Sequence, residues 1–315
     1  MTRISICLLI LASFPTAILA QQDKLITHFM YDKMSVNPGE TGIEEGICGT
    51  AIYRNQWGRV FGAPNSVALN VEANINQYFP GGVGINFYHD AIGFARQNSV
   101  LLNYSYPVVT EVGILGVGLG LGLFNYGMEP DWIPPTDDID NALPIGYSAT
   151  GMDFNFGVYW KGLSKYYGGL SFTHLNSPRL EKTISENGQT LTQAFQAGRH
   201  FYLMGGYTTD PIGPGKIDGN LIFRTDFVKT STDINLRYLM RMNNLEYYGG
   251  LSFRTNESIP LMIGGSMNNF TVGYSYDITI NKIADVSRGT HELMVKYCYY
   301  LPPPIKTPSK HPRWL

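Results

Sequence analysis

Gly116–Phe124 reads GVGLGLGLF, with glycine at every even position and valine or leucine at every odd position up to Leu123. Alternation at period two over this length is a strand signal, since successive side chains of a strand point to opposite faces. The run is glycine-rich enough to suggest a phosphate-binding loop, but no Lys-Ser/Thr follows and no helix pattern opens. Glycine weakens a strand unless something approaches its backbone closely. The glycine face is therefore expected to look into a crowded interior, and the leucine face outward.

Thirteen further segments of roughly 9–12 residues carry strand patterning, from ICGTAIYRNQW near the N-terminus to THELMVKYCYY near the C-terminus. About fourteen strands of this length match the 9–11 residues a strand needs to cross a bilayer, and bacterial barrels have even strand numbers. Composition agrees. Thirty-five Gly, 21 Tyr and 16 Phe accompany only 15% charged residues, against about 25% in an ordinary soluble domain. The expected fold is an all-β transmembrane antiparallel barrel over residues 47–300. The connections after the fifth and seventh strands and before the last are long, whereas KGLSK and RMNN are short, as expected if they face opposite sides of a membrane.

YYGGLSF occurs twice, at Tyr166–Phe172 and Tyr247–Phe253. On this tally the copies open the seventh and eleventh strands, with the same direction and face. Their tyrosines are expected in an aromatic girdle and their glycines at a bend. Internal duplication and convergent strand grammar both account for the repeat.

Residues 1–20, MTRISICLLILASFPTAILA, have a basic start, an apolar run and a small residue at Ala20, and are expected to be a signal peptide. Residues 21–46 are expected to be a periplasmic or lumenal segment. The net charge of −2 gives no sign of a nucleic-acid partner. Residues 301–315, LPPPIKTPSKHPRWL, read as an extended periplasmic tail, either a docking peptide carrying Arg313 and Trp314 or a disordered end.

Several stretches stand out in order: HFMYDKMSVNPGETG (His28–Gly42) with Asn37-Pro38, IYRNQW (Ile52–Trp57), GAP (Gly62–Pro64), GVGINFYHDAIG (Gly82–Gly93) and LNYSYP (Leu102–Pro107). GVYWKGLSKYYGGLSFTHLNSP (Gly157–Pro178), GYSYDIT (Gly273–Thr279), GTHELMVKY (Gly289–Tyr297) and the terminal HPRWL follow. Together they resemble the PorP/SprF family of the type IX secretion system. The resemblance implies an outer-membrane barrel of a Gram-negative bacterium, without enzymatic activity or cofactor. It also implies that the barrel docks, exports or anchors one large secreted surface protein, such as a gliding adhesin, through that protein's C-terminal domain. Membrane lipid and other secretion components would be its further partners. A small-molecule porin or transporter is the alternative, favoured by an open lumen and disfavoured by a filled one.

Candidate partner-binding residues are Asn37, Pro38, Tyr53, Arg54, Gln56, Trp57, Asp131, Asp137, Asp138, Arg313 and Trp314. Tyr53, Asn55 and Trp57 should share one face. Arg54 and Gln56 should face the lumen, because an arginine at the lipid midplane costs about 2–4 kcal/mol; there they meet a partner or form an internal salt bridge. The aspartates of residues 131–140 could hold calcium, but their spacing matches no EF-hand loop and reads rather as a solvated outer loop. His291-Glu292 lacks the second histidine of a zinc helix, and GYSAT (Gly146–Thr150) lacks the last glycine of a nucleophile elbow; no catalytic or metal residues are assigned. Cys48 and Cys298 fall on the inward parity of the first and last strands, either bonded across the closure seam or as two buried thiols.

Overall fold

The computed structural model describes residues 24–130, 146–163, 165–186 and 189–300. The expected signal peptide, Asp131, Asp137, Asp138, and the tail with Arg313 and Trp314 lie outside these residues. The described strands are β1 (Ile47–Asn55), β2 (Asn65–Asn74), β3 (Gly82–Ile92), β4 (Ala95–Thr110), β5 (Gly113–Met128), β6 (Tyr147–Gly162) and β7 (Tyr166–Thr173). After the pair β8 (Arg179–Glu186) and β9 (Gln189–Gln196) come β10 (His200–Thr208), β11 (Gly215–Thr225), β12 (Thr230–Met242) and β13 (Leu245–Arg254). The last are β14 (Ser258–Met267), β15 (Phe270–Thr279) and β16 (Thr290–Tyr299).

All except β8 and β9 form one closed antiparallel barrel of fourteen strands, with β16 pairing back onto β1. Closure removes every sheet edge, which is what lets strands cross lipid without unsatisfied backbone. The leucine face of β5 is exposed, as are Leu102, Leu236, Leu251 and Ile263 on other strands, which together make an apolar outer belt. The glycine face of β5 points inward, with Gly116, Gly118 and Gly120 buried.

At one end of the barrel, where β1 begins and β16 finishes, the turns are short: Glu111-Val112 joins β4 to β5, and Asn243-Asn244 joins β12 to β13. The opposite end carries the long connections after β5 and β7. Loop length does not alternate throughout, however. Gly93-Phe94 alone joins β3 to β4, and Thr255-Asn256-Glu257 joins β13 to β14, both at the loop end. The connection after β7 contains a feature the sequence reading did not separate: β8 and β9 pair as a hairpin over the loop end. Its Thr- and Gln-rich strands are too polar to read as membrane-crossing segments.

Each YYGGLSF copy splits its tyrosines. Tyr166 and Tyr247 are exposed on the outer face near the turn end, at girdle level, but Tyr167 and Tyr248 point into the lumen. Period two allows only one tyrosine of an adjacent pair to face lipid. The glycines make no bend; they continue regular pairing with β10 and β14.

Cys48 and Cys298 stand directly opposite in the β1–β16 register and form a disulfide across a sequence separation of 250 residues. A bond closing so long a loop restricts the unfolded chain strongly, typically by about 2–4 kcal/mol. Cys298→Ser is expected to lower the denaturant midpoint of the detergent-solubilised barrel, and wild-type protein is expected to migrate faster on a gel without reductant than with it. Equal mobility of wild type and variant under both conditions would contradict the bond.

Candidate functional site

The lumen is filled by the chain's own N-terminal segment. Residues 24–46 descend from the loop end to the turn end, and Leu25, Ile26, Phe29, Met30, Met34 and Val36 are buried there. Asn37 is extended, as a residue before proline tends to be, and caps a 3-10 turn at Pro38–Glu40 by accepting the Gly39 N–H at 2.9 Å. Its Nδ2 donates to the carbonyls of Val158 (3.1 Å) and Leu170 (3.4 Å), which pair across β6 and β7.

The slot for this turn is cut from small residues. A Cβ on Gly118 would collide with the Pro38 carbonyl, and one on Gly116 with that of Gly39. Gly157 and Gly169 make the same room for the Asn37 amide. Ser105 Oγ donates to the Gly39 carbonyl at 2.8 Å and Ser171 Oγ to that of Val36 at 2.6 Å. The alternating glycines of β5 therefore hold a polypeptide backbone.

Closer to the loop end, charge does the holding. Glu292 accepts the backbone N–H of Thr27 and of His28, each at 2.8 Å. Arg54 reaches Glu292 (3.0 Å), Asp277 (2.8 Å) and the Thr27 hydroxyl (3.0 Å). Arg254 donates to Asp233 at 3.0 Å, which also accepts from Arg224 at 2.5 Å. Two further sets flank this one. Asn103 donates to Asn86, Asn86 to Asn70 (2.5 Å), and Asn70 to Asp32 of the segment (2.6 Å). Arg237 pairs with Asp218 at 2.6 Å and lies over the rings of Tyr31 and Tyr248.

Arg54 and Gln56 thus face the lumen. Arg54 sits in an internal ion network that includes the segment, and Gln56 donates to Glu257 at 3.2 Å. Tyr53 lies exposed on the outer face. Trp57 does not join it: β1 ends at Asn55, and Trp57 adopts a left-handed φ of 50° in the following turn, which swings its ring over the loop-end opening. Asn37 and Pro38 are enclosed against the wall. Among the described residues no group of three or more His, Cys, Asp or Glu could hold a metal.

Above the segment, at the loop end, lies a cavity of about 400 Å³. Leu25 reaches it from the segment below, and Phe124 and Tyr126 of β5 line it beside Phe195 of the hairpin. Tyr126 and Phe195 are stacked with centroids 3.6 Å apart. Gln56 and Trp57, two of the candidates read from the sequence, also line it; the aromatic wall was missed because β5 and the hairpin meet only in the fold.

Two outcomes test the seated segment. Gly118→Leu places a side chain where the Pro38 carbonyl sits, an overpacking that costs about 1–3 kcal/mol. It is expected to make a thiol introduced as Ser35→Cys, buried in the parent, react with maleimide; unchanged protection would contradict the slot. The second outcome concerns pH. Burial, then the nearby Glu72 carboxylate, pushes the Glu40 carboxyl from 4.5 up to about 8. Between those values the seated segment binds a proton that a released one does not, so seating weakens as pH rises through that window and levels off above it. Planar-bilayer recordings are expected to show opening events that increase from pH 5 to 9 in wild type and increase less steeply in Glu40→Gln.

Residues 18–297 match the family model described as type IX secretion system membrane protein PorP/SprF. No curated protein matches the sequence. Among solved structures, the chain is similar to the Ralstonia pickettii toluene transporter TbuX, with TM-score 0.53 and 10% identity over 85% of this chain and 93% of that one. It is also similar to a Pseudomonas aeruginosa FadL homologue, with TM-score 0.52 and 8% identity over 84% and 93%. At such identity these likenesses speak for the barrel fold alone. Family and fold are those of an outer-membrane secretion barrel, not of a known enzyme class. The chain belongs to the PorP/SprF family of type IX secretion system membrane proteins.

Proposed function

We propose that this barrel is a non-enzymatic component of the type IX secretion system that docks, exports or anchors one specific secreted surface protein at the outer membrane. The observation that carries this reading is the filled lumen. Residues 24–46 close the path through the barrel by hydrogen bonds and an ion pair to the wall, and leave a blind recess at the loop end. A blind recess suits reception of a partner from outside; a small-molecule transporter needs a continuous path. In the family context the received partner is a polypeptide, and the lipid around the apolar belt is the barrel's other neighbour.

The test is affinity purification of the solubilised barrel from its native outer membrane, with mass spectrometry of what comes with it. One large secreted protein, with or without secretion components, is the expected result. Recovery of the barrel alone, together with steady conductance for small solutes at neutral pH, would overturn the docking role in favour of a transporter.

A further inference from the structure

The loop-end cavity has two unlike sides. One is an aromatic wall, in which Phe124 of β5, Tyr126 and Phe195 of the hairpin pack together, with Phe124 and Phe195 centroids 6.1 Å apart and interplanar angle 21°. Beside it, β3 and β4 contribute Tyr88, Asp90 and Gln97, with Gln97 paired to Tyr126 and Asp90 to Gln97 in the sheet register. Asp90 accepts the Ser66 hydroxyl at 2.6 Å. The floor is Leu25, and beneath it Lys24 Nζ donates to the Ser35 carbonyl at 2.9 Å while lying over the Tyr88 ring. At about 400 Å³ the space sits at the lower end of the roughly 300–1,000 Å³ of small-ligand sites.

We infer that this cavity receives one amphipathic aromatic side chain, tryptophan or tyrosine, from an extended segment of the secreted partner. The inference rests on the docking role proposed above. A ring entering from the loop end slides along the Phe124–Tyr126–Phe195 wall in offset or edge geometry, and its N–H or O–H turns toward Asp90 and Gln97. Such residues anchor interfaces because one end is apolar and the other donates a hydrogen bond. The closed floor stops the ring at Leu25, so the chain that carries it stays outside. Because Leu25 belongs to the lumen segment, the occupant touches the segment that fills the barrel.

The test uses the full chain in lipid nanodiscs with four probes, N-acetyl-tryptophanamide, N-acetyl-tyrosinamide, N-acetyl-phenylalaninamide and N-acetyl-leucinamide, followed by saturation-transfer NMR. The tryptophan and tyrosine amides are expected to bind, and the leucine amide to bind about tenfold more weakly. Ala95→Trp, which fills the cavity from the first residue of β4, is expected to weaken aromatic binding by about tenfold or more, whereas Val112→Trp in a turn at the other end leaves it unchanged. Gln97→Leu, which keeps the shape and removes a polar group, is expected to narrow the preference for the donor-bearing amides over N-acetyl-phenylalaninamide. In native membranes, Ala95→Trp is expected to lose the secreted protein that wild type retains.

Equal binding of leucine and aromatic amides, or undiminished binding to Ala95→Trp, overturns the inference. Retention of the secreted protein by an Ala95→Trp barrel that no longer binds the amides also overturns it, and leaves the docking role standing. Aromatic-amide binding by a wild-type barrel that retains no secreted protein overturns both, and makes the cavity a small-molecule site.

Discussion

At Glu292 three distant parts of the chain meet. One oxygen accepts from His28 and the other from Thr27 and Arg54, so one carboxylate ties the last barrel strand to the first and both to the lumen segment. It is fully enclosed. A buried carboxylate is tolerable only when its lone pairs are matched by donors, and two of the donors here are backbone N–H groups of the segment itself. Removing one partner of such a set leaves an uncompensated charge, a loss of about 3–5 kcal/mol. The barrel wall in this region is therefore complete only with the segment seated.

That dependence has a physical origin in the strand pattern. A lipid-facing barrel needs an apolar outer face, and the inward face must differ from it or the register loses its meaning. The inward positions here carry Asn, Asp, Glu, Arg, Ser and Gly, and each polar one requires water or protein to satisfy it. The Asn103–Asn86–Asn70–Asp32 chain and the Arg237–Asp218 pair show protein taking that part. Where the inward residues are glycines, the backbone of the segment comes close enough to bond directly to the wall.

Much of this was legible from residue order alone. Parity placed Arg54 and Gln56 inside, because the opposite face would cost an arginine in lipid; the same parity put Cys48 and Cys298 on the inward face of neighbouring strands, without saying whether they bond, and the glycines of β5 announced a crowded interior. What fills that interior was not legible. Asn37-Pro38 stood out through resemblance, but nothing in its sequence says that Val158 and Leu170 would receive it, since such contacts join residues more than a hundred positions apart. Trp57 was misplaced because parity ends where a strand ends. The second tyrosine of each YYGGLSF copy was misplaced because composition, which suggests a girdle, was allowed to outweigh alternation.

The segment is held at two levels by different physics, and the difference bears on how it could respond. The Asn37–Gly39 turn is fixed by shape, in a slot that admits no extra carbon atom, while the Thr27–His28 region is fixed by charge-assisted hydrogen bonds to Glu292, Asp277 and Arg54. Shape complementarity fails abruptly when the turn moves, because packing contacts vanish within an ångström. Charged contacts act over longer distances and can exchange for water. Leu25 lies between the ionic level and the loop-end cavity, so a partner at the loop end meets the ionic level first. The slot near the turn end is shielded behind it. Any displacement begun from outside would therefore have to hydrate the Glu292 cluster before it reached the glycines, whereas a pull from the turn end would meet the steric slot first.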